Sequence, residues 1–204
     1  MRRICLDLCS GLGGFSKAFK EDKSWVVITV DNDPKFEPTV LADITKIDWL
    51  DFKQKKLSGM PPDVLLASPP CERFSVACHS WPRPGIQKAM EIVGSCFEAV
   101  AILKPKHWLI ENPMGRLRWF LGKPPQTIRL CDYGSPYRKL TDLWGDIRLP
   151  FLQHQHKPIA YVETEGRMNA KKPLPRITNN RAKKAEMPYG LSKAILECVE
   201  VSGV

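Results

Sequence analysis

Cys71 stands directly after Pro69 and Pro70 in LLASPPCERFS, and Glu111 ends the apolar run of HWLIEN. A cysteine thiolate adds to electron-poor carbon, and a carboxyl group gives or takes a proton. The two types together suit covalent catalysis with acid–base assistance. A thiolate at neutral pH needs its pKa lowered by cations or a helix N-terminus, and Arg73 with the helix-like residues after it are the candidates. The plainer readings are a buried thiol in a proline-stiffened turn and an ion-paired or capping carboxylate.

A second group of residues points to a small-molecule ligand. DLCSGLGG, Asp7 to Gly14, follows an apolar run and precedes a helical pattern. Glycines at such a turn let backbone approach a ligand and expose helix N-terminal N–H groups. The GxGxxG phosphate fingerprint is not matched, so the turn alone is weak. Asp31 in VDND sits where an acid accepts hydrogen bonds from ribose hydroxyls in Rossmann-like folds, and Asp43 in LADIT is a third acidic turn. Together they suggest an adenosine ligand; singly, such acids are helix caps and turn formers.

These residues need a scaffold that brings strand ends together. RICLDL, SWVVITV, DVLLAS and HWLIEN read as buried parallel strands. Between them GFSKAFKED and IQKAMEIVGSCFEAVAILK read as helices, with Ala89, Val93, Cys96, Phe97 and Val100 at three- and four-residue steps. The alternation predicts an α/β fold, a doubly wound and mostly parallel sheet, with its ligand crevice at the carboxyl ends of the strands. Further on come a short helix in GRLRWFL, two strands in QTIRLCDYG and LTDLWGDI, and a closing helix in PYGLSKAILECVEV with Pro188 near its start.

The chain has 204 residues, 43% hydrophobic and 26% charged, which predicts one domain spanning 1–204. No apolar run is long enough to cross a bilayer, and the broken apolar stretch after Arg2 and Arg3 makes a poor signal peptide; a cytoplasmic location is expected. Seven scattered cysteines without a CxxC argue against a disulfide scaffold and a zinc site, with Cys71, Cys78 and His79 or His154 and His156 as weak exceptions. No metal is expected. The formal net charge of +9 suits a polyanionic partner. Residues 148–186 are rich in Pro, Lys and Arg, and by themselves favour a solvated surface.

Taken in order, DLCSGLGG, PPCERFS, ENP, YGSPYRKLTDLWG and MPYGLSKAI give the chain a resemblance to the cytosine-5 DNA methyltransferase family. That family carries a D-L-F-x-G-x-G-G turn, a Pro-Cys nucleophile loop, a Glu-Asn-Val strand end, a Y-G-x-P-Q-x-R-x-R segment and a C-terminal cofactor motif. The resemblance implies a class I S-adenosylmethionine-dependent methyltransferase fold. It implies Cys71, Glu111 and Arg138 as catalytic residues. S-adenosyl-L-methionine is the implied cofactor, bound by Asp7, Cys9, Gly11, Leu12, Gly13, Gly14, Asp31, Asn32, Asp43, Ile44 and Pro69. In that chemistry the cysteine adds to cytosine C6, the glutamic acid hydrogen bonds to N3, and the methyl group goes to C5. The base must first leave the duplex, because the target atom is unreachable within it.

Several positions depart from the family pattern. Cys9 and Glu72 replace a phenylalanine and a glutamine, and aligning the Trp-Gly end puts Lys139 and Thr141 on the two arginine positions, with Arg138 one residue out of register. Only the basic segment of about 148–186 occupies the place of a target-recognition lobe, which implies a short or relaxed target site. Residues 187–204 are expected to return to the core. The compact size suggests a phage- or mobile-element-type member, in the manner of restriction–modification enzymes. Duplex DNA is the expected partner. The alternatives are an RNA (tRNA) cytosine-5 methyltransferase and a catalytically silent nucleic-acid-binding regulator.

Overall fold

The computed structural model describes residues 2–75, 84–150, 160–161 and 186–202. Most of the basic segment 148–186, with Cys78, His79, His154 and His156, lies outside them.

The six predicted strands form, together with the short β3, β7 and β9: β1 (Arg3–Leu8), β2 (Trp25–Asp31), β3 (Val40–Leu41), β4 (Val64–Ala67), β5 (His107–Pro113), β6 (Gln126–Arg129), β7 (Tyr137–Arg138), β8 (Leu140–Gly145) and β9 (Ala160–Tyr161). Seven of them make one sheet in the order β3-β2-β1-β4-β5-β8-β6, and β7 and β9 pair separately. The pairs β1·β2, β1·β4, β2·β3 and β4·β5 are parallel, whereas β8 runs antiparallel to both β5 and β6. β8 therefore begins where β5 ends.

The helices are α1 (Lys17–Glu21), α2 (Trp49–Leu57), α3 (Ile86–Leu103), α4 (Arg118–Leu121) and α5 (Tyr189–Ser202). Alternation along the central strands sorts side chains to two faces. Leu6, Leu8, Leu65 and Ala67 join Trp49 and Phe52 of α2 and Val93, Cys96 and Leu103 of α3 in one core. Cys5, Val64 and Leu66 join Phe19 of α1 and Leu191, Ile195 and Val199 of α5 in the other. The result is a sheet covered on both faces, which is why its strands read as continuous apolar runs.

Two local expectations change. The glycine turn does not open a helix directly: α1 starts only at Lys17, and the Ser16 hydroxyl donates to Asp7 Oδ2 at 2.6 Å instead of capping it. The strand expected through QTIRLCDYG stops at Arg129, where Leu130–Tyr133 makes a 3₁₀ turn.

α4 is tied to the sheet by charge. Arg118 Nε and Nη2 donate to the two carboxylate oxygens of fully buried Asp142 on β8, at 2.6 and 2.5 Å, and Thr127 of β6 donates to the same carboxylate at 2.8 Å. Removing one partner strands a buried charge. Arg118→Ala is expected to cost about 3 kcal/mol of stability in a urea melt; a change within a few tenths would show that the pair contributes little.

Candidate active site

The chain runs outward from β1 through β2 to β3, then crosses to β4 on the other side of β1. A crevice opens at such a reversal, beyond the carboxyl ends of the strands. Both groups of chemically capable residues lie along this edge.

On the β1–β2 side, Asp31 is 8% exposed at the end of β2, and its two oxygens accept from the backbone N–H groups of Gly11 and Asp33 at 2.8 and 2.9 Å. Each oxygen keeps a lone pair for a further donor. Gly11 has φ +50° and open space where a Cβ would stand. Gly14 is constrained for another reason: a Cβ there would lie 2.9 Å from the carbonyl oxygen of Met187, so it admits the segment leading into α5 rather than a ligand. That segment docks on α1, with the Ala18 N–H donating to Ser192 Oγ and the Tyr189 hydroxyl to Glu21.

Cys9, half-buried with φ +53°, packs beside Cys96, whose thiol together with burial pushes its pKa up. Leu12 and Asn32 are exposed, Gly13 is buried against Lys20, and Ile44 is buried in the core. Asp43 caps a 3₁₀ turn, its Oδ1 accepting from the Thr45 N–H and hydroxyl, the capping role that an acid in a turn offers by default.

Asp7 is fully buried and its Oδ1 has no hydrogen-bond partner. Burial pushes its pKa up to about 7, against the pull of the Ser16 hydroxyl and Lys20, with Asp31 adding a smaller push.

On the β4–β5 side, the chain leaves β4 through Ser68 and Pro69 to Cys71. The Cys71 carbonyl accepts from the N–H groups of Phe74 and Ser75, closing a tight turn. Asn112, fully buried on β5, donates from Nδ2 to the Pro69 carbonyl at 2.9 Å and so ties the cysteine loop to the glutamate strand. Glu111 is 3% exposed and faces Leu143 of β8, with Thr141 opposite Pro113 on the same face.

Burial pushes the Glu111 carboxyl up to about 7, Lys139 and the Thr141 hydroxyl pull it down, and Asp142 pushes it up. Glu111 Oε1 and Thr141 Oγ1 have no hydrogen-bond partner, so the hydroxyl acts on the acid from nearby without a bond of good geometry. The Cys71 thiol is raised by burial, lowered by Lys139, and raised again by Glu111 and Glu72.

One cation, Lys139, thus acts on both groups. It changes one expectation. The charge that favours the thiolate is Lys139 and not Arg73, whose guanidinium lies beside Gly85, and residues 76–83 after the loop lie outside the described ones. Arg138 lies in β7, in register with Tyr161, and its neighbour Lys139, which leads into β8, is the cation whose charge lowers both candidates' pKa values. The signal for this was in the sequence: counting back from Trp144-Gly145 puts Lys139 and Thr141 at the site. Asn112 was missed, although it is the second letter of ENP.

Among the described residues, eight buried side-chain polar atoms lack partners; three are indole nitrogens. The other five, on Asp7, Ser68, Glu111, Asn112 and Thr141, all lie at the carboxyl edge. Buried polar atoms are seldom left so, which marks this edge as a place for ligands. A cavity of about 660 Å³ lies at the opposite edge, lined by His107, Asp146, Arg148 and Glu197 among others, and holds none of these groups.

The family model for the C-5 cytosine-specific DNA methylase matches residues 4–117. The chain belongs to this family. It is 33% identical over 158 residues to the "Probable DNA (cytosine-5)-methyltransferase" of Frog virus 3 (isolate Goorha), covering 70% of each chain. It is also 33% identical over 113 residues to the DNA (cytosine-5-)-methyltransferase M.ApeKI of Aeropyrum pernix, covering 54% of this chain but 22% of that one. A chain described as a prophage-encoded DNA modification methyltransferase (E. coli) superposes with a TM-score of 0.55 at 19% identity, over 78% of this chain and 53% of the other; that likeness shows the fold. The sheet order is that of a class I methyltransferase, as expected.

Among the described residues no helix is long and apolar enough to cross a membrane.

The two raised carboxyls make the methylase's stability fall with rising pH. Asp7 and Glu111 hold protons in the folded state that the unfolded chain releases from about pH 4 upward, so stability drops between about pH 4 and 7. For Asp7, a rise from 3.8 to about 7 caps the loss at about 4 kcal/mol. Thermal melts at pH 5.5 and 8 should show a smaller difference for Asp7→Asn than for the wild type; equal differences would contradict the assignment.

Proposed function

We propose that this methylase transfers a methyl group to C5 of cytosine in DNA through a covalent adduct on Cys71. The reading rests on one observation: Cys71 and Glu111, from the ends of neighbouring strands, are both shifted upward by burial and both act against the same cation, Lys139.

The Cys71 thiolate forms a bond to cytosine C6, pushing electron density into the ring toward N3 and C5. Glu111, held neutral by burial, donates its proton in a hydrogen bond to N3 and offsets that charge. Its unpartnered Oε1 remains available to a donor such as the exocyclic amine. Lys139 stabilises the thiolate before addition. Asn112 and Pro69 fix the loop, so that Cys71 meets a base rotated out of the duplex. Once C5 carries the methyl group, a water molecule takes the C5 proton, the C–H electron pair re-forms the C5=C6 double bond, and the S–C6 bond breaks with its electrons returning to Cys71.

S-adenosylmethionine, when bound, supplies the electrophilic methyl group. The β1–β4 crevice fits it: Gly11 leaves room for close approach, Asp31 retains lone pairs for ribose hydroxyls, and Asp7 Oδ1 is buried and unsatisfied. Asn32, Asp43 and Ile44 would flank the adenine, and the backbone from Cys9 to Gly13 the methionine portion.

Transfer of a labelled methyl group from S-adenosylmethionine to duplex DNA, mapped by bisulfite sequencing, tests the proposal. Modified cytosines in a short or relaxed motif are expected. Transfer to tRNA alone would support the RNA enzyme, and cofactor binding without transfer the silent regulator.

A further inference from the structure

β8 turns Thr141, Leu143 and Gly145 to the face of the sheet that carries Glu111, and Thr141 is the only polar side chain among them. It is fully buried. Directly across on β5 stands Pro113, and directly across on β6 stands Ile128, so neither residue offers the hydroxyl a side-chain partner. Glu111 lies on the diagonal, two residues before Pro113 and opposite Leu143, at a backbone separation of about 7–8 Å that a long side chain spans. Among the described residues neither Thr141 Oγ1 nor Glu111 Oε1 has a hydrogen-bond partner.

A buried hydroxyl without a partner costs stability, and a valine would fill the same space without that cost. The hydroxyl becomes useful only in a state that gives its O–H a good acceptor. Burial keeps Glu111 protonated up to about pH 7, so the free protein offers a neutral carboxyl. An ionised carboxylate is a far better acceptor, since charge-assisted hydrogen bonds are roughly twice as strong as neutral ones. A hydroxyl rotates to suit its neighbour, and that of Thr141 already pulls the Glu111 pKa down. Two charged groups also act on Glu111: Lys139 favours the carboxylate, and Asp142, paired with Arg118 on the other face of β8, opposes it. Cys71 faces it across the site.

We propose that Thr141 is a positioning residue that donates a hydrogen bond to the Glu111 carboxylate formed when this acid gives its proton to the substrate base. The inference rests on the reading of Glu111 as the acid of cytosine methylation. As the Cys71 sulfur bonds to C6, the Glu111 O–H bond breaks, the proton bonds to N3 and the electron pair stays on the carboxylate. Thr141 turns its O–H onto that oxygen and keeps its own proton. When the S–C6 bond breaks, the proton returns from N3 to Glu111 and the hydroxyl is released. The bond lasts as long as the charge does, so it lowers the barrier without stabilising the ground state.

The test uses the full chain, with Thr141→Val to remove the hydroxyl at nearly constant shape and Thr141→Ser to keep it. Carbon-13 at the glutamate carboxyls follows the titration by NMR, the Glu111 signal being the one absent from Glu111→Gln. In Thr141→Val, Glu111 should titrate at higher pH than in wild type; in Thr141→Ser it should titrate as in wild type. Single-turnover methyl transfer to duplex DNA is read at about pH 6, below the Glu111 titration. There Thr141→Val should be slower by about 10-fold or more, the worth of one hydrogen bond to a charged group. The break near pH 7 in the rate profile should move up with the titration, and Thr141→Ser should restore both.

The melting temperature of Thr141→Val should equal or exceed that of wild type, because a partnerless hydroxyl has gone, and this separates the slower reaction from a damaged fold. An unshifted Glu111 titration in Thr141→Val, or transfer as fast as in wild type, overturns the inference and leaves the methylation reading standing. A wild-type protein that transfers no methyl group to duplex DNA or to tRNA overturns both.

Discussion

Replacing Cys71 by alanine is expected to abolish methyl transfer, with a loss of at least about 10⁴-fold, because the covalent route disappears and no other described thiol lies at the end of β4. The direct readout is trapping. With 5-fluorocytosine in the target position, the C5 proton becomes a fluorine that cannot leave, so the S–C6 bond persists. Wild-type protein with S-adenosylmethionine should give a denaturation-resistant protein–DNA band, and Cys71→Ala none. Trapping retained in Cys71→Ala would place the nucleophile elsewhere. The free thiol is raised by burial, so the rate should also climb with pH up to about 7, where Glu111 begins to lose its proton.

Glu111→Gln carries the second large effect. A positioned acid contributes on the order of 10²–10⁴ in rate, and glutamine can hydrogen bond but cannot yield the proton. Its pH profile is the sharper test. Productive protein needs Cys71 ionised and Glu111 protonated. Below about pH 7 Glu111 is already protonated, so wild-type kcat/KM rises as thiolate accumulates. Above about 7 each gain in thiolate is matched by a loss of protonated Glu111, and the profile levels until the thiol itself titrates. In Glu111→Gln the break near 7 should vanish and the rise continue. A break that persists in the variant would belong to another group, and Asp7, also near 7, would be examined next through Asp7→Asn.

The scaffold was legible because its strands are apolar on both faces. RICLDL and DVLL, flanked by turn formers, leave little choice but a buried parallel sheet, and the helical spacing of Ala89, Val93 and Cys96 names the face that covers it. Cys71 and Glu111 stood out as candidates too, since few residue types do covalent and acid chemistry, and both stand at strand ends. Less visible was the function of the glycines: Gly14 is small because Met187 crosses it, a contact between residues far apart in the chain.

By itself, then, the sequence determined the α/β class, the strand ends that hold the candidate residues and the family. Which cation lowers the pKa of both candidates was a tertiary decision. Arg138 and Lys139 differ by one residue, and the antiparallel register of β8 against β5, with Thr141 opposite Pro113, brings the charge of Lys139 to bear on Cys71 and Glu111. The same holds for the upward shift of both groups and for the fastening of Pro69 by Asn112. Burial and hydrogen-bond partners arise from chain segments brought together across the sheet, and local patterns of residue type do not encode which segments those are.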